Sequence, residues 1–180
     1  MSRAANNHME TPLTQAPSDQ LPALAPAHGW APSSVHFSSA SDEWPTPRAY
    51  FETVEREFGP FDLDPCATPE SAKAPRYFTK ADDGLAQEWH GRVWMNPPYG
   101  RTIGAWMRKA YESAQAGCVV VCLVPARTDT AWWHDYAMKG TVRFLRGRLK
   151  FGDAKNSAPF PSALVVFGMP NGADQPRPRE

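Results

Sequence analysis

Cys118-Val119-Val120-Val121-Cys122-Leu123-Val124 is a near-continuous apolar run, followed at once by Pro125-Ala126-Arg127. A strand with one solvated face alternates apolar and polar residues. This run does not alternate, so it reads as a strand buried on both faces, the habit of parallel sheets covered by helices. Immediately upstream, Ile103 to Ala114 places Ile103, Trp106, Met107 and Ala110 on one face of an amphipathic helix. Before that helix, Gly91-Arg92-Val93-Trp94-Met95 reads as a strand running into Asn96-Pro97-Pro98-Tyr99.

Further upstream, Thr46 has the chemistry of an N-cap with Pro47 at the first helical position. Tyr50, Phe51, Val54 and Phe58 then recur at helical spacing until Gly59-Pro60 stops the helix. Phe61-Asp62-Leu63-Asp64-Pro65 is a short strand ending in an acid and a turn, and Tyr77-Phe78-Thr79 is a second short strand. Asp82-Asp83-Gly84 is a turn signal. Downstream, Thr130 to Ala137 reads as a short helix, Thr141 to Phe151 as extended chain, and Ser162 to Phe167 as a final strand. Strands alternating with helices define an α/β class with a mainly parallel sheet flanked by helices. In such sheets ligands sit beyond the carboxyl ends of the strands. Asp64, Asn96 and the Pro125-Ala126-Arg127 turn all follow strands, so they share one edge.

The composition bounds the rest. Of 180 residues, 42% are hydrophobic, enough for one compact core with tails. Residues 1–40, rich in Ala, Pro, Ser, Asn and His, and residues 171–180 lack periodicity and read as disordered tails around a 41–170 domain. The cysteines are Cys66, Cys118 and Cys122, an odd number without a CxxC pair, which suggests neither a disulfide framework nor a zinc site. No His cluster suggests another metal. No apolar stretch approaches the about 20 residues needed to span a bilayer, and the N-terminus has no signal pattern. These features predict a cytoplasmic protein without a membrane partner.

Asn96-Pro97-Pro98-Tyr99 carries the chemistry. An exocyclic amine on an aromatic ring is a poor nucleophile because its lone pair is delocalised. Two fixed acceptors can hold its N–H groups so that the nitrogen becomes tetrahedral. The Asn96 side-chain carbonyl and the Pro97 backbone carbonyl are two such acceptors, and the prolines stiffen the backbone between them. Tyr99 can stack on a base that has left its duplex. The same letters also suit an ordinary turn after a strand; the position behind an apolar strand favours the chemical reading.

With these blocks in order, the chain resembles the bacteriophage and prophage Dam-type DNA N6-adenine methyltransferases. The resemblance runs from Ser41 to Phe167. It rests on EWPTP (Glu43 to Pro47), FDLDPCAT (Phe61 to Thr68), DGL with Trp89, VWMNPPYGR (Val93 to Arg101), LVPARTDTAWWH (Leu123 to His134), and RFLRGRLKFG followed by PFPSALVVF. It implies a Rossmann-like, S-adenosylmethionine-dependent enzyme acting on adenine N6 in double-stranded DNA. It implies donor contacts from Asp64, Pro65, Cys66 and Ala67, from the upstream Thr46 and Pro47, and from Asp83, which reads equally well as a plain turn residue. The wider methyltransferase pattern places a GxG-type glycine pair in the donor loop. No glycine lies between Gly59 and Gly84 here, and the short gap from Asp64 to Asn96 marks a trimmed fold without an inserted recognition domain.

Charge is unevenly spread along a chain whose formal net charge is zero. From Arg101 to Lys155, ten Lys/Arg stand against four Asp/Glu, a net of +6; from Ser41 to Glu70, two Arg stand against eight acids, a net of −6. A basic half suits one-sided nucleic-acid binding. Arg127, behind the buried strand, and Arg146 and Arg148, in the alternating Arg143-to-Lys150 stretch, are the candidate DNA contacts. Trp132 and Trp133 suit core packing or stacking, and His134 a helix surface or a site group. Two other readings fit the same residues: a methyltransferase of this fold acting on RNA or a protein amide, and a non-catalytic DNA-binding remnant of a phage genome.

Overall fold

A computed structural model describes residues 42–152 and 156–169. The two expected tails, with Asp153 and Lys155 of the basic segment, lie outside the described residues. Six strands form one sheet: β1 (Leu63–Asp64), β2 (Arg76–Tyr77), β3 (Arg92–Met95), β4 (Val119–Pro125), β5 (Thr141–Phe144) and β6 (Ser162–Phe167), in the order β2-β1-β3-β4-β6-β5. The helices are α1 (Arg48–Phe58), α2 (Ile103–Gln115) and α3 (Ala131–Asp135).

β4 occupies the sheet interior. Val120, Val121, Cys122, Leu123 and Val124 are all fully buried. Burying each Val or Leu from water is worth about 1.5–3 kcal/mol, which explains why this run tolerates no alternation. The same holds for β6, every residue of which is buried. The edge strands β2 and β5 are mostly exposed. α2 buries Ile103, Trp106, Met107 and Ala110, the face expected from spacing, and packs on β4 and β6. α1 buries Phe51, Val54 and Phe58. Its Phe51 ring meets Trp94 of β3 at 5.3 Å and Phe61 at 5.8 Å.

The expected mainly parallel sheet is a mixed one. β1 pairs parallel with β2 and β3, and β3 with β4, but β6 runs antiparallel to both β4 and β5. The reason lies in the connection. A parallel neighbour needs a crossover, usually a helix. Among the described residues between β5 and β6 there is no helix, so the chain returns on the same edge and reverses direction.

Three local expectations also shift. α1 begins at Arg48, and Pro47, with φ −59° and ψ 133°, is its cap residue. The Pro47 carbonyl accepts from the N–H groups of Tyr50 and Phe51, and Thr46 makes no capping bond. The extended stretch from Thr141 is strand only to Phe144; Leu145 still donates to the Ser162 carbonyl, and Gly147 at φ +78° then turns the chain away. The helix from Thr130 is shorter than expected, ending at Asp135 before a 3-10 turn at Ala137–Lys139.

Candidate active site

The strand order creates a switch point. From β1 the chain moves outward to β2, then returns to lay β3 on the other side of β1. Ligands bind in open α/β sheets beyond the carboxyl ends of the strands at such a point. Asp64 ends β1 and Asn96 follows β3, so the switch lies between them. The turn at Pro125-Ala126-Arg127 ends β4 on the same edge. Because β6 is antiparallel, its first residue, Ser162, faces Pro125 there.

Asn96 is half-buried, and its amide is held on one side. Its Nδ2 donates to the Trp44 carbonyl at 2.6 Å and to the Thr46 hydroxyl at 3.0 Å. Its Oδ1 is buried and has no hydrogen-bond partner among the described residues. Leaving a buried acceptor unpaired costs about 1–3 kcal/mol, so this oxygen is a place for an incoming donor. Pro97 is buried and Pro98 half-buried.

Tyr99 is sealed in. It is 2% exposed, its hydroxyl donates to the Leu123 carbonyl at 3.2 Å, and its ring sits among Trp44, Phe151 and Phe160. Burial pushes its hydroxyl well above the ordinary value, and the nearby Arg127 charge opposes this only in part. The Trp44 ring lies nearly parallel to Tyr99 at 6.5 Å. A base stacking on Tyr99 therefore requires the Trp44 ring to swing aside.

Asp64 is buried at the end of β1. Its carboxylate accepts from the backbone N–H of Lys73 at 3.1 Å and of Cys66 at 3.4 Å. It forms no salt bridge among the described residues. Burial pushes its carboxyl up to about 7, against the pull of those N–H groups and the Lys73 charge. A buried acid without a direct ion pair is suited to a cationic ligand. The Cys66 thiol is raised well above its ordinary value by burial and then by the Asp64 charge, while the Asn96 backbone N–H beside it acts in the opposite direction. It is held as a thiol, not poised as a nucleophile. Ala67 is buried and donates to the Phe78 carbonyl at 3.0 Å.

The absent glycine pair has a counterpart from another loop. Gly84 packs so tightly on the Pro65 carbonyl that a Cβ there would collide with it. Trp89 donates its indole N–H to the Gly84 carbonyl at 2.8 Å. Asp83, at φ 51° in the left-handed region that Asp tolerates, is thereby carried next to the β1 turn. Asp82 fastens the same turn by accepting from the Thr79 amide and hydroxyl at 2.8 and 2.6 Å.

The structure thus brings Trp44 and Thr46 onto the Asn96 side-chain amide, sets the Cys66 thiol at the Asn96 backbone N–H, and places Pro65 against Gly84, the neighbour of Asp83. Arg127 is half-buried near Tyr99. Arg146 is exposed, whereas Arg148 donates to the Pro159 carbonyl at 2.9 Å and fastens its own loop. Arg143 forms a two-pronged pair with Glu57 at 2.7 and 2.8 Å. Trp132 and Trp133 are buried, and His134 is exposed. Residue patterns gave no role to Trp44, Phe151, Phe160 or Ser162. Trp44, Phe151 and Phe160 wall the tetrapeptide, and the Ser162 hydroxyl is a second buried group without a partner among the described residues. Their only signal was membership of the ordered blocks.

Fold and site together define an α/β protein that holds an unsatisfied amide oxygen at a topological switch point beside a buried acid. Residues 33–167 match the model of the DNA N-6-adenine-methyltransferase (Dam) family, and the chain belongs to that family. It is 34% identical over 139 residues to a DNA N-6-adenine-methyltransferase of Haemophilus phage HP1, covering 72% of this chain and 80% of that one. It is 32% identical over 94 residues to a protein of the same name from Escherichia phage T1, covering 51% of this chain but only 39% of that longer one.

Proposed function

We propose that the chain transfers a methyl group from S-adenosylmethionine to N6 of an adenine turned out of double-stranded DNA, on a trimmed Rossmann-like fold. The observation that carries this reading is the Asn96 amide, anchored through Nδ2 with its Oδ1 left without a donor. When bound, the donor supplies an electrophilic methyl group on a sulfonium.

The remaining chemistry belongs to the chain. Asp64 pairs with the donor's ammonium, which offsets the cost of its own burial. Pro65, Cys66, Ala67 and Pro47 shape the walls around it, and Asp83 hydrogen-bonds its ribose or adenine. Asn96 Oδ1 and the Pro97 carbonyl accept the two N–H groups of the target amine and localise its lone pair. Pro98 keeps these acceptors from relaxing, and Tyr99 stacks on the base once the Trp44 ring admits it. The amine loses its proton after attack, so no strong general base is needed. Fixed orientation supplies much of the rate; such positioning is worth roughly 7–11 kcal/mol. Arg127 and Arg146 line the DNA side.

Methyl transfer from labelled donor to unmethylated duplex DNA, RNA and protein, with adenine methylation then mapped per site, tests the reading. Duplex DNA is the expected acceptor. Asn96→Ala is expected to lower kcat about 10²–10³-fold, the usual cost of losing one preorganised polar group, with donor affinity nearly unchanged. Near-full DNA methylation by this variant, or transfer to RNA or protein alone, would overturn it.

A further inference from the structure

The segment from Asp42 to Thr46 runs beside Asn96 to Gly100 and meets it at Asp42, Trp44 and Thr46. Tyr99 donates its backbone N–H to the Asp42 carbonyl at 2.9 Å. Gly100 lies so close to the Asp42 carboxylate that a Cβ would collide with it. The Trp44 ring covers Tyr99, and Phe151 and Phe160 meet Trp44 edge-on at 5.4 and 5.0 Å. Gly152 donates to the Pro45 carbonyl at 2.9 Å, pinning the strap from its other side.

At its end, this strap decides which way the Asn96 amide points. The Trp44 carbonyl can only accept, so the group facing it must be the Asn96 NH2. Its second N–H reaches the Thr46 hydroxyl. Thr46 is 6% exposed and does not cap α1, so its side chain is free of the role its position suggested. With both N–H groups engaged, the amide cannot rotate without breaking two bonds, and Oδ1 is the only part left to a substrate.

We propose that Thr46 is a positioning residue for methyl transfer: its hydroxyl, with the Trp44 carbonyl, locks the Asn96 amide so that Oδ1 faces the target amine. This rests on the methyltransferase reading above and adds to it a residue that acts through Asn96 and not on the donor. Thr46→Val keeps the shape and removes the acceptor; Thr46→Ser restores it.

Thr46→Val is expected to lower kcat about tenfold, the weight of one hydrogen bond, while KM for DNA and the donor Kd hold. Thr46→Ser is expected to recover most of the loss. Two-dimensional NMR of the Asn96 side-chain amide gives a readout independent of turnover: its protons exchange slowly in the wild type and Thr46→Ser, and faster in Thr46→Val. A Thr46→Val protein with wild-type kcat overturns the proposal, as does one whose donor Kd rises while kcat holds, because Thr46 would then be a donor contact. Unchanged Asn96 amide exchange overturns it as well. A wild-type chain that methylates no DNA would instead sink the methyltransferase reading, and the amide signals would still decide whether Thr46 holds Asn96.

Discussion

Asp64 ties folding to pH through its burial. A carboxyl raised from its ordinary value to about 7 binds a proton in the folded chain that it has shed in the unfolded one over the interval between those values. Its contribution to stability is therefore fully present below the ordinary carboxylate range and is lost as pH rises through about 7. The unfolding midpoint should fall as pH rises from 6 to 8, by more in the wild type than in Asp64→Asn. Thermal melts at fixed ionic strength read this directly. Saturating donor should reduce the fall, because its ammonium stabilises the charged carboxylate. A wild-type curve no steeper than that of Asp64→Asn would remove Asp64 from this role. At the same scale, the sequence marked Asn96 and Asp64 through their positions behind apolar strands. It did not mark Thr46 correctly, since the N-cap pattern and the strap contact use the same hydroxyl, and only the path of residues 42–47 decides between them.

Among the elements, the turn at Asp82-Asp83-Gly84 makes a close backbone approach to the β1 turn, where no glycine stands. Gly84 allows its backbone to lie on the Pro65 carbonyl, with the Trp106 ring close by. A methyl group there must push apart the β1 turn and α2, and overpacking of this kind costs about 1–3 kcal/mol. Gly84→Ala should lower stability by that amount in urea melts and weaken donor binding, because Asp64 adjoins the displaced turn. Unaltered melts and donor affinity would show that the loops yield freely. The turn itself was legible from Asp-Asp-Gly, but its partner was not, since local chemistry cannot say which strand end lies opposite. β6 teaches a related lesson. Its apolar run announced a buried strand, yet a strand buried on both faces reads the same in either direction. The missing helix among the described residues between β5 and β6 was the signal for reversal.

Across the whole molecule, the basic half is divided by use. Arg143 is clamped by Glu57, Arg108 lies 3.8 Å from Glu112, and Arg148 holds the Pro159 carbonyl. Arg127 and Arg146 form no salt bridge among the described residues and belong to the sheet edge that carries Asn96. Each cation that neutralises a phosphate contributes roughly 0.9 to the slope of log affinity against log salt. Arg127→Ala and Arg146→Ala should each lower that slope by about one, while Arg143→Ala leaves it nearly unchanged. Equal slopes for all three variants would move the DNA to another face.

The sequence by itself determined the α/β class, the buried central strand and the acid that ends β1. These follow from periodicity and from chemistry that adjacent residues carry with them. The tertiary structure alone decided the mixed sheet, the sealing of Tyr99 behind Trp44, the engagement of Arg143, and the orientation of the Asn96 amide by Trp44 and Thr46. Each of these joins residues far apart in the chain. An amide offers donor and acceptor equally until a neighbour that can only accept takes its N–H, and that neighbour lies 52 residues away.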